Sequence, residues 1–252
     1  MEIHHKIKPP HGWREFLFEI GVIVLGVLLA LGAEQGVEAM HRAHQVEEAE
    51  NALRLELAED NGPQAYVRAA GAYCLATQLH AMHAALDAGA DRKVFHDMAQ
   101  AYSPPFRTWD DQAWTSVAAS NVGGYMGARR LIAWSTPYRI VRSMQGSAAS
   151  EAHDVIELKS GRASPGKLSD AETDHFLFVV DRVTRENLEL AILSLGLMDN
   201  MEKAGAKLAP ATQRSLLKDA RTRFGDCVRT PDLTLWRSIT EASDPKTLTE
   251  RF

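Results

Sequence analysis

The sequence predicts an all-α protein, in which one N-terminal transmembrane helix continues into an external bundle of about five or six helices. Residues 16–33 form an apolar run interrupted only by Glu19. Beyond this run, apolar residues recur at helical spacing, and capping and turn residues separate the periodic stretches. A long alternating stretch of β-branched residues, which would indicate strands, does not occur in the 252-residue sequence.

The apolar run is long enough to cross a lipid bilayer. A helix rises about 1.5 Å per residue, so roughly 20 apolar residues span a hydrocarbon core of about 30 Å. We therefore expect a transmembrane helix over residues 16–35, with Trp13 and Gln35 in the headgroup regions. A cleaved signal peptide ending near Ala33 is the alternative, but the apolar stretch is longer than in such peptides and no turn residue follows it.

The flanking charges predict the orientation. Residues 1–15 contain three bases (Lys6, Lys8, Arg14) and two acids, whereas the segment from residue 34 to residue 60 contains eight acids and two bases. Short segments rich in Lys and Arg remain in the cytoplasm. We expect residues 1–15 to be a short cytoplasmic N-terminus, and residues 36–252 to be an extracytoplasmic (periplasmic) domain of an inner-membrane protein.

The first two predicted helices are separated by a strong stop signal. The first helix is expected to continue from the membrane to Glu59, before Asp60-Asn61-Gly62-Pro63. The second is expected from Pro63 to Asp87. It places four apolar residues on one face: Leu75, Leu79, Met82 and Leu86.

Shorter helices are expected after the corner at Ser103-Pro104-Pro105. One lies between Thr108 and Gly124, and another runs from Tyr125 to about Met144 with a disturbance at Pro137. The segment from residue 146 to residue 166 contains several Ser and Gly residues, so we expect part of it to be a loop.

The clearest helix of the external part begins after Ser169. Ser169 and Glu172 have the spacing of a capping box. The following positions repeat with a period of 3.6 residues: Phe176, Val179, Val180, Val183, Asn187, Leu190, Ser194 and Leu197. A last helix is expected from Pro210 to Gly225.

Two motifs suggest chemistry that the surrounding residues do not support. Residues 161–167 match the phosphate-binding pattern GxxxxGK, but Leu168 stands where a Ser or Thr would hold magnesium. We therefore expect a loop between two helices. Glu38 with His41, and Glu172 with His175, have the Glu-x-x-His spacing of di-iron bundles, but Glu172 is already explained by helix capping.

The remaining composition assigns no catalytic residue, cofactor or metal site. The hydrolase patterns GxSxG and HExxH are absent from the sequence. The net charge of -5 argues against binding of nucleic acid, which requires a basic face. An enzyme with an unrecognised site remains one alternative.

The apolar run itself contains candidate contact residues. Glu19 is an intramembrane acid that either snorkels to the interface or pairs with Arg14 or a partner chain. The spacings Gly26–Ala30 and Gly32–Gly36 place small residues where a second helix, from another copy or from a membrane protein partner, can approach closely.

The two cysteines, Cys74 and Cys227, both lie in the external part. In an oxidising compartment an even number of cysteines indicates a disulfide. The alternative is a pair of buried free thiols.

The segment from Glu19 to Leu31 resembles the membrane segment of an uncharacterised family of bacterial single-pass membrane proteins. The shared pattern is an acid and Ile, then aliphatic residues, a Gly, and an aliphatic-Ala-Leu ending. A weaker likeness involves Trp114, Ser120, Gly123 and Tyr138. The resemblance implies an N-terminal transmembrane helix with a helical external domain, and no chemistry.

These observations favour a membrane-anchored helical interaction or scaffold domain that faces the cell envelope. The first alternative is an extracytoplasmic ligand-sensing domain. It would work through a membrane partner, because only about 15 residues are expected inside.

Overall fold

A computed structural model of the protein describes residues 12–105 and 108–241. The helices in this part are α1 (Trp13–Leu55), a π-helical segment (Glu56–Asn61), α2 (Gly62–Asp87), α3 (Arg92–Ala101), α4 (Gln112–Ala119), α5 (Val122–Met126), α6 (Ala128–Lys159), α7 (Asp170–Lys203), α8 (Pro210–Phe224) and α9 (Leu233–Glu241). Within the described residues, the only β-type pairing is an isolated bridge between Asp91 and Lys167. The predicted all-α class is therefore confirmed.

The chain divides into two units, residues 1–48 and 49–252. The described part of the first unit belongs almost entirely to α1. Its apolar stretch has a mean hydropathy of 2.5, and none of this stretch is buried. By length and composition it could cross a membrane. Residues 1–11 of the expected cytoplasmic segment lie outside the described residues.

In the second unit, α2 and α6 both pack along α7. The predicted apolar face of α2 is buried, from Leu75 to Leu86, and so is every predicted inward position of α7. The α2 face and the α7 positions from Phe176 to Val183 join Phe95 and Tyr102 from the α3 region in one hydrophobic core. The capping box at Ser169 and Glu172 is present, as predicted.

The predicted stop after Glu59 is wrong, because the chain remains helical from Trp13 to Asp87. Proline in an α-helix clashes with the carbonyl four residues earlier, but the π-helical turn before Pro63 is wider and accommodates the ring. Asn61 is buried and exchanges two hydrogen bonds with the backbone of Asp110, at 2.8 and 3.1 Å. A Cβ at Gly62 would lie 2.8 Å from the carbonyl oxygen of Leu57, so only glycine fits there.

The predicted helix end near Met144 is wrong, because α6 continues to Lys159 and includes Pro137. Part of the segment 146–166 is a loop, as expected, and this loop begins after Lys159. Packing outweighs the local signals here. Tyr138 stacks on Trp114 at 5.7 Å, and its hydroxyl donates to the Leu53 carbonyl at 3.2 Å.

Three short helices differ from the sequence prediction. The Gly123-Gly124 pair lies within α5 and does not end a helix. Helices α3 and α9 were not predicted, and they raise the number of helices above the expected five or six. Both are short, at 10 and 9 residues, so they offer few turns in which a period can show.

A disulfide joins Cys74 of α2 to Cys227, which follows α8, across a sequence separation of 153 residues. Cys74 belongs to a small cluster of buried residues with Ala70, Ala220 and Val228. Gly71 permits close approach beside it, because a Cβ there would lie 2.8 Å from the ring of Phe224.

Candidate functional site

A groove with a volume of about 540 Å³ lies between α3, the start of α7 and the loop that joins α6 to α7. This volume falls within the range of small-molecule sites, about 300–1,000 Å³. The loop is the segment that matches GxxxxGK in the sequence. It is a loop between two helices, as predicted, and its Gly161 and Arg162 line the groove.

Hydrogen bonds hold the loop wall against α3. The Asp91 carboxylate caps α3 by accepting from the Lys93 backbone N–H at 2.9 Å, and it also accepts from the Gly166 N–H at 2.9 Å. The Arg92 N–H donates to the Gly166 carbonyl at 2.8 Å. Because these bonds connect the loop backbone to a helix terminus, the groove is largely preformed.

The Arg92 side chain connects the loop to α7. Its guanidinium binds the Glu172 carboxylate at 2.7 Å and donates to the Ser164 hydroxyl at 3.3 Å. The same Glu172 oxygen accepts from the N–H and the hydroxyl of Ser169. These hydrogen bonds from Ser169, together with Arg92, lower the pKa of Glu172, so this carboxylate stays charged.

The apolar side of the groove is aromatic. The rings of Phe95 and Phe176 lie 4.8 Å apart in a tilted arrangement, and Leu168 also lines the groove. A Cβ at Gly161 would lie 3.2 Å from the Phe176 ring, so glycine allows the loop to lie close against this ring. The groove therefore offers an apolar surface to a flat or aliphatic group.

An ion-pair network begins at the edge of the groove. His175, which lines the groove, has its Nε2 3.4 Å from a Glu157 carboxylate oxygen. Glu157 also pairs with Arg182, and Arg182 binds Asp154 at 2.5 Å. These contacts lead from the groove into the interface between α6 and α7.

The network has a second, fully buried centre. Arg68 of α2 is 2% exposed and Glu151 of α6 is 4% exposed. The guanidinium binds the carboxylate through two hydrogen bonds, at 2.8 and 2.5 Å, and donates to the Asn187 side chain at 3.1 Å. A buried bidentate pair of this kind joins the three long helices α2, α6 and α7.

Glu186 lies between these two centres. Burial raises the pKa of Glu186 to about 7, with further contributions from the nearby carboxylates of Asp154 and Glu151. Its Oε2 is buried and has no hydrogen-bond partner among the described groups. Glu186 and Asp154 can hydrogen-bond to each other only when one of them carries a proton.

Tyr102 faces the same buried charges. Its hydroxyl is buried and has no partner among the described groups. Burial raises the pKa of Tyr102, so the phenol remains protonated. The hydroxyl can therefore donate a hydrogen bond inside the bundle.

His153, Asp154 and Glu157 place three ligand atoms within 4.8 Å of one another. Both carboxylates are already bound by Arg182. An arginine between two carboxylates supplies the positive charge that a metal ion would bring, so we assign no metal to this group.

Among the residues considered in the sequence analysis, Glu172 and His175 line the groove, and the other candidates lie elsewhere. In the first unit, Glu19 and the small residues Gly26, Ala30, Gly32 and Gly36 are all exposed. Their suggested roles in assembly stay predictions. Cys74 and Cys227 are brought together in the disulfide.

Sequence reasoning missed both the groove and the network behind it. Two signals were available: the loop after α6, considered only as a nucleotide motif, and the Glu172–His175 spacing, considered only as a metal motif. The partners in the network are separated by 83 residues for Arg68 and Glu151, so no local spacing indicated them.

No protein-family model, no curated protein and no solved structure matches this chain. The resemblance to an uncharacterised family of single-pass membrane proteins therefore stays a prediction.

Proposed function

We propose that this chain is a single-pass inner-membrane protein whose periplasmic helical domain binds a small ligand. The observation that carries the proposal is the groove between α3, α7 and the loop that joins α6 to α7. It combines a suitable volume, an aromatic side and a wall held by backbone hydrogen bonds.

Membrane anchoring rests on the exposed apolar surface of α1. All residues from 16 to 33 are exposed, and all but Glu19 are apolar or glycine. Water would be a poor solvent for so much contiguous apolar surface, whereas lipid tails would cover it. The charge asymmetry around this segment supports a cytoplasmic N-terminus.

The disulfide supports an external location for the second unit. Bonds of this kind persist in oxidising compartments such as the bacterial periplasm and are rare in the cytosol. The Cys74–Cys227 pair lies on the side of the apolar segment that the charges place outside.

The ligand is expected to affect more than the groove. His175 belongs to the groove and also to the network that reaches Arg182, Glu186 and Arg68. A ligand that displaces His175 from Glu157 would therefore change the electrostatics between α6 and α7. This connection favours a ligand-sensing domain over a passive scaffold, and the scaffold interpretation stays a prediction.

The experiment uses the full chain, extracted from membranes in nonionic detergent and examined by native mass spectrometry. We expect a retained small molecule on the wild-type protein. Ala171→Trp, at an exposed position that lines the groove, should remove it, because the indole fills the space. Ala149→Trp is the matched control, since it makes the same change at an exposed position of α6 outside the groove.

The proposed function would be wrong if the wild-type and Ala149→Trp proteins retained no small molecule. It would also be wrong if Ala171→Trp retained every molecule that they retain.

Membrane topology is tested separately. Reporter fusions after Asp60 should be active only outside the cytoplasm, and replacement of Lys6, Lys8 and Arg14 by Glu should weaken or invert this orientation.

A further inference from the structure

We propose that the ligand of this groove is a small amphipathic anion, with a carboxylate or phosphate attached to a flat or aliphatic apolar body. The inference rests on the proposed function and adds the chemical class of the ligand. It follows from the charges along the groove and from the apolar residues of its lining.

The ionic residues of the groove give it a positive charge. The arginines and carboxylates of the lining are Arg92, Arg162 and Glu172, which together carry one net positive charge. Glu172 is the single acid of the lining, and its carboxylate is already bound by Arg92 and Ser169. Among the described lining residues, an entering anion therefore meets no free carboxylate.

Arg162 is the cation available to such a ligand. It is exposed at the groove, and the described residues give its guanidinium no hydrogen bond or ion pair. A guanidinium presents a planar fork of donors that matches a carboxylate or a phosphate. The neighbouring Arg92 cannot serve in the same way, because its terminal nitrogens are bonded to Glu172 and Ser164.

The side chains that line the groove also contain buried nitrogen atoms without hydrogen-bond partners among the described residues. Within the described lining, two buried polar atoms have no hydrogen-bond partner, and both are nitrogens: Nε of Arg92 and Nδ1 of His96. The arginine nitrogen can only donate, and a histidine nitrogen donates in the matching tautomer. Both nitrogens have almost no solvent-accessible surface, so they are not contact atoms for a ligand in the groove, and the binding of an anion rests on Arg162.

The apolar part of the proposed ligand follows from the apolar residues of the lining, Phe95, Phe176 and Leu168. Their tilted rings and the aliphatic side chain give one side of the groove no hydrogen-bonding group. Both rings are already largely buried, at 2% and 7% exposed, so only the remaining exposed part of these residues and of Leu168 is open to a ligand. An anion with an attached ring or short alkyl chain covers it and gains from burial of apolar area.

The test compares three naphthalene probes by isothermal titration calorimetry on the full chain in nonionic detergent. The probes are 2-naphthoate, the neutral 2-naphthylmethanol and the cationic 2-naphthylmethylammonium. We expect 2-naphthoate to bind roughly tenfold more tightly than the neutral probe, because hydrogen bonds to charged groups are stronger than those to neutral ones. The cation should bind most weakly, and sodium acetate alone should not bind.

Two arginine variants locate the binding. Arg162→Gln should weaken 2-naphthoate roughly fivefold, the size expected for one solvent-exposed charge. Arg185→Gln, an exposed arginine of α7 outside the groove, should leave the affinity unchanged. Competition by dihexanoyl phosphatidic acid would identify a lipid headgroup as the source of the anion, and its failure would identify a soluble anion.

Equal affinity for the three probes would overturn the anion preference and leave the ligand groove standing. The inference also fails if 2-naphthoate shows no saturable binding, or if Arg162→Gln and Arg185→Gln weaken it equally. The proposed function fails by a different result, namely the absence of any retained molecule that Ala171→Trp removes.

Discussion

Replacement of Glu186 by Gln should stabilise the protein above neutral pH. In the folded state this carboxyl lies close to Asp154 and Glu151, and burial raises its pKa from 4.5 to about 7. Glutamine has nearly the same shape and carries no charge, and its amide can donate to Asp154 at every pH. The substitution therefore removes the cost of a charged group without leaving a cavity.

The direction of the pH effect follows from proton binding. Because the pKa of Glu186 is higher in the folded state, the folded protein binds more protons than the unfolded chain between pH 4.5 and about 7. The contribution of this group to stability is thus fully present below about pH 4.5 and is lost as the pH rises through about 7. Above that range, folding has to accommodate the charged carboxylate.

The upper bound on the change in unfolding free energy is about 3.4 kcal/mol, because the pKa rises from 4.5 to about 7 and each pH unit corresponds to about 1.36 kcal/mol. Glu186 is only partly buried, and solvent screening reduces the value to about 1–2 kcal/mol. For a domain of this size, about 1 kcal/mol corresponds to roughly 2–4 °C in Tm. Wild type should therefore lose stability from pH 5 to pH 8, and Glu186→Gln should lose less.

The assay is thermal unfolding of the full chain in nonionic detergent, followed by circular dichroism at pH 5, 6, 7 and 8. Glu189→Gln is the control, since Glu189 is exposed on the same helix. Glu186→Gln should match wild type at pH 5 and exceed it at pH 8. Parallel pH profiles for Glu186→Gln and wild type would refute the assignment of the raised pKa to Glu186.

Three further predictions use the same full-length protein. Arg68→Met should lower the free energy of unfolding by about 3–5 kcal/mol, because Glu151 is left buried and unpaired; denaturant titration measures the loss, and a change below about 1 kcal/mol would contradict it. Cys227→Ser should lower the free energy of unfolding by at most about 4–5 kcal/mol, because the disulfide is lost. Mass mapping of the wild-type protein without reductant should find the linked Cys74–Cys227 peptides, and two freely alkylated thiols would exclude the bond. Glu19→Leu should leave membrane insertion intact and reduce assembly in native detergent electrophoresis if the acid contacts a partner helix; unchanged assembly would reduce Glu19 to a residue at the membrane interface.

Long periodic stretches made much of the fold predictable. Helix α7 was predicted from its capping box and from its apolar face between Phe176 and Leu197, which is buried. Helix α2 was predicted from the face between Leu75 and Leu86. In both, the local signal and the tertiary packing agree, so the sequence pattern was sufficient.

The failures occur where packing overrides a local signal. Asp60-Asn61-Gly62-Pro63 reads as a turn, but the buried hydrogen bonds of Asn61 to Asp110 compensate a π-helical turn that keeps the chain helical. Partners 49 residues apart cannot be recognised from one sequence. The groove was unpredictable for the same reason, because its wall depends on hydrogen bonds between the start of α3 and a distant loop.

The position of the disulfide fixes the order of events in the synthesis of this protein. Cys227 follows Cys74 by 153 residues, so the bond can close only after eight of the described helical segments, α1 to α8, have been made. Helices α3 to α8 are therefore all present in the chain before the bond can close, and the bond encloses them in one covalent loop. Once closed, the bond also ties the two pieces of any chain cut in the loop after α6, so proteolytic nicking there would not release a fragment.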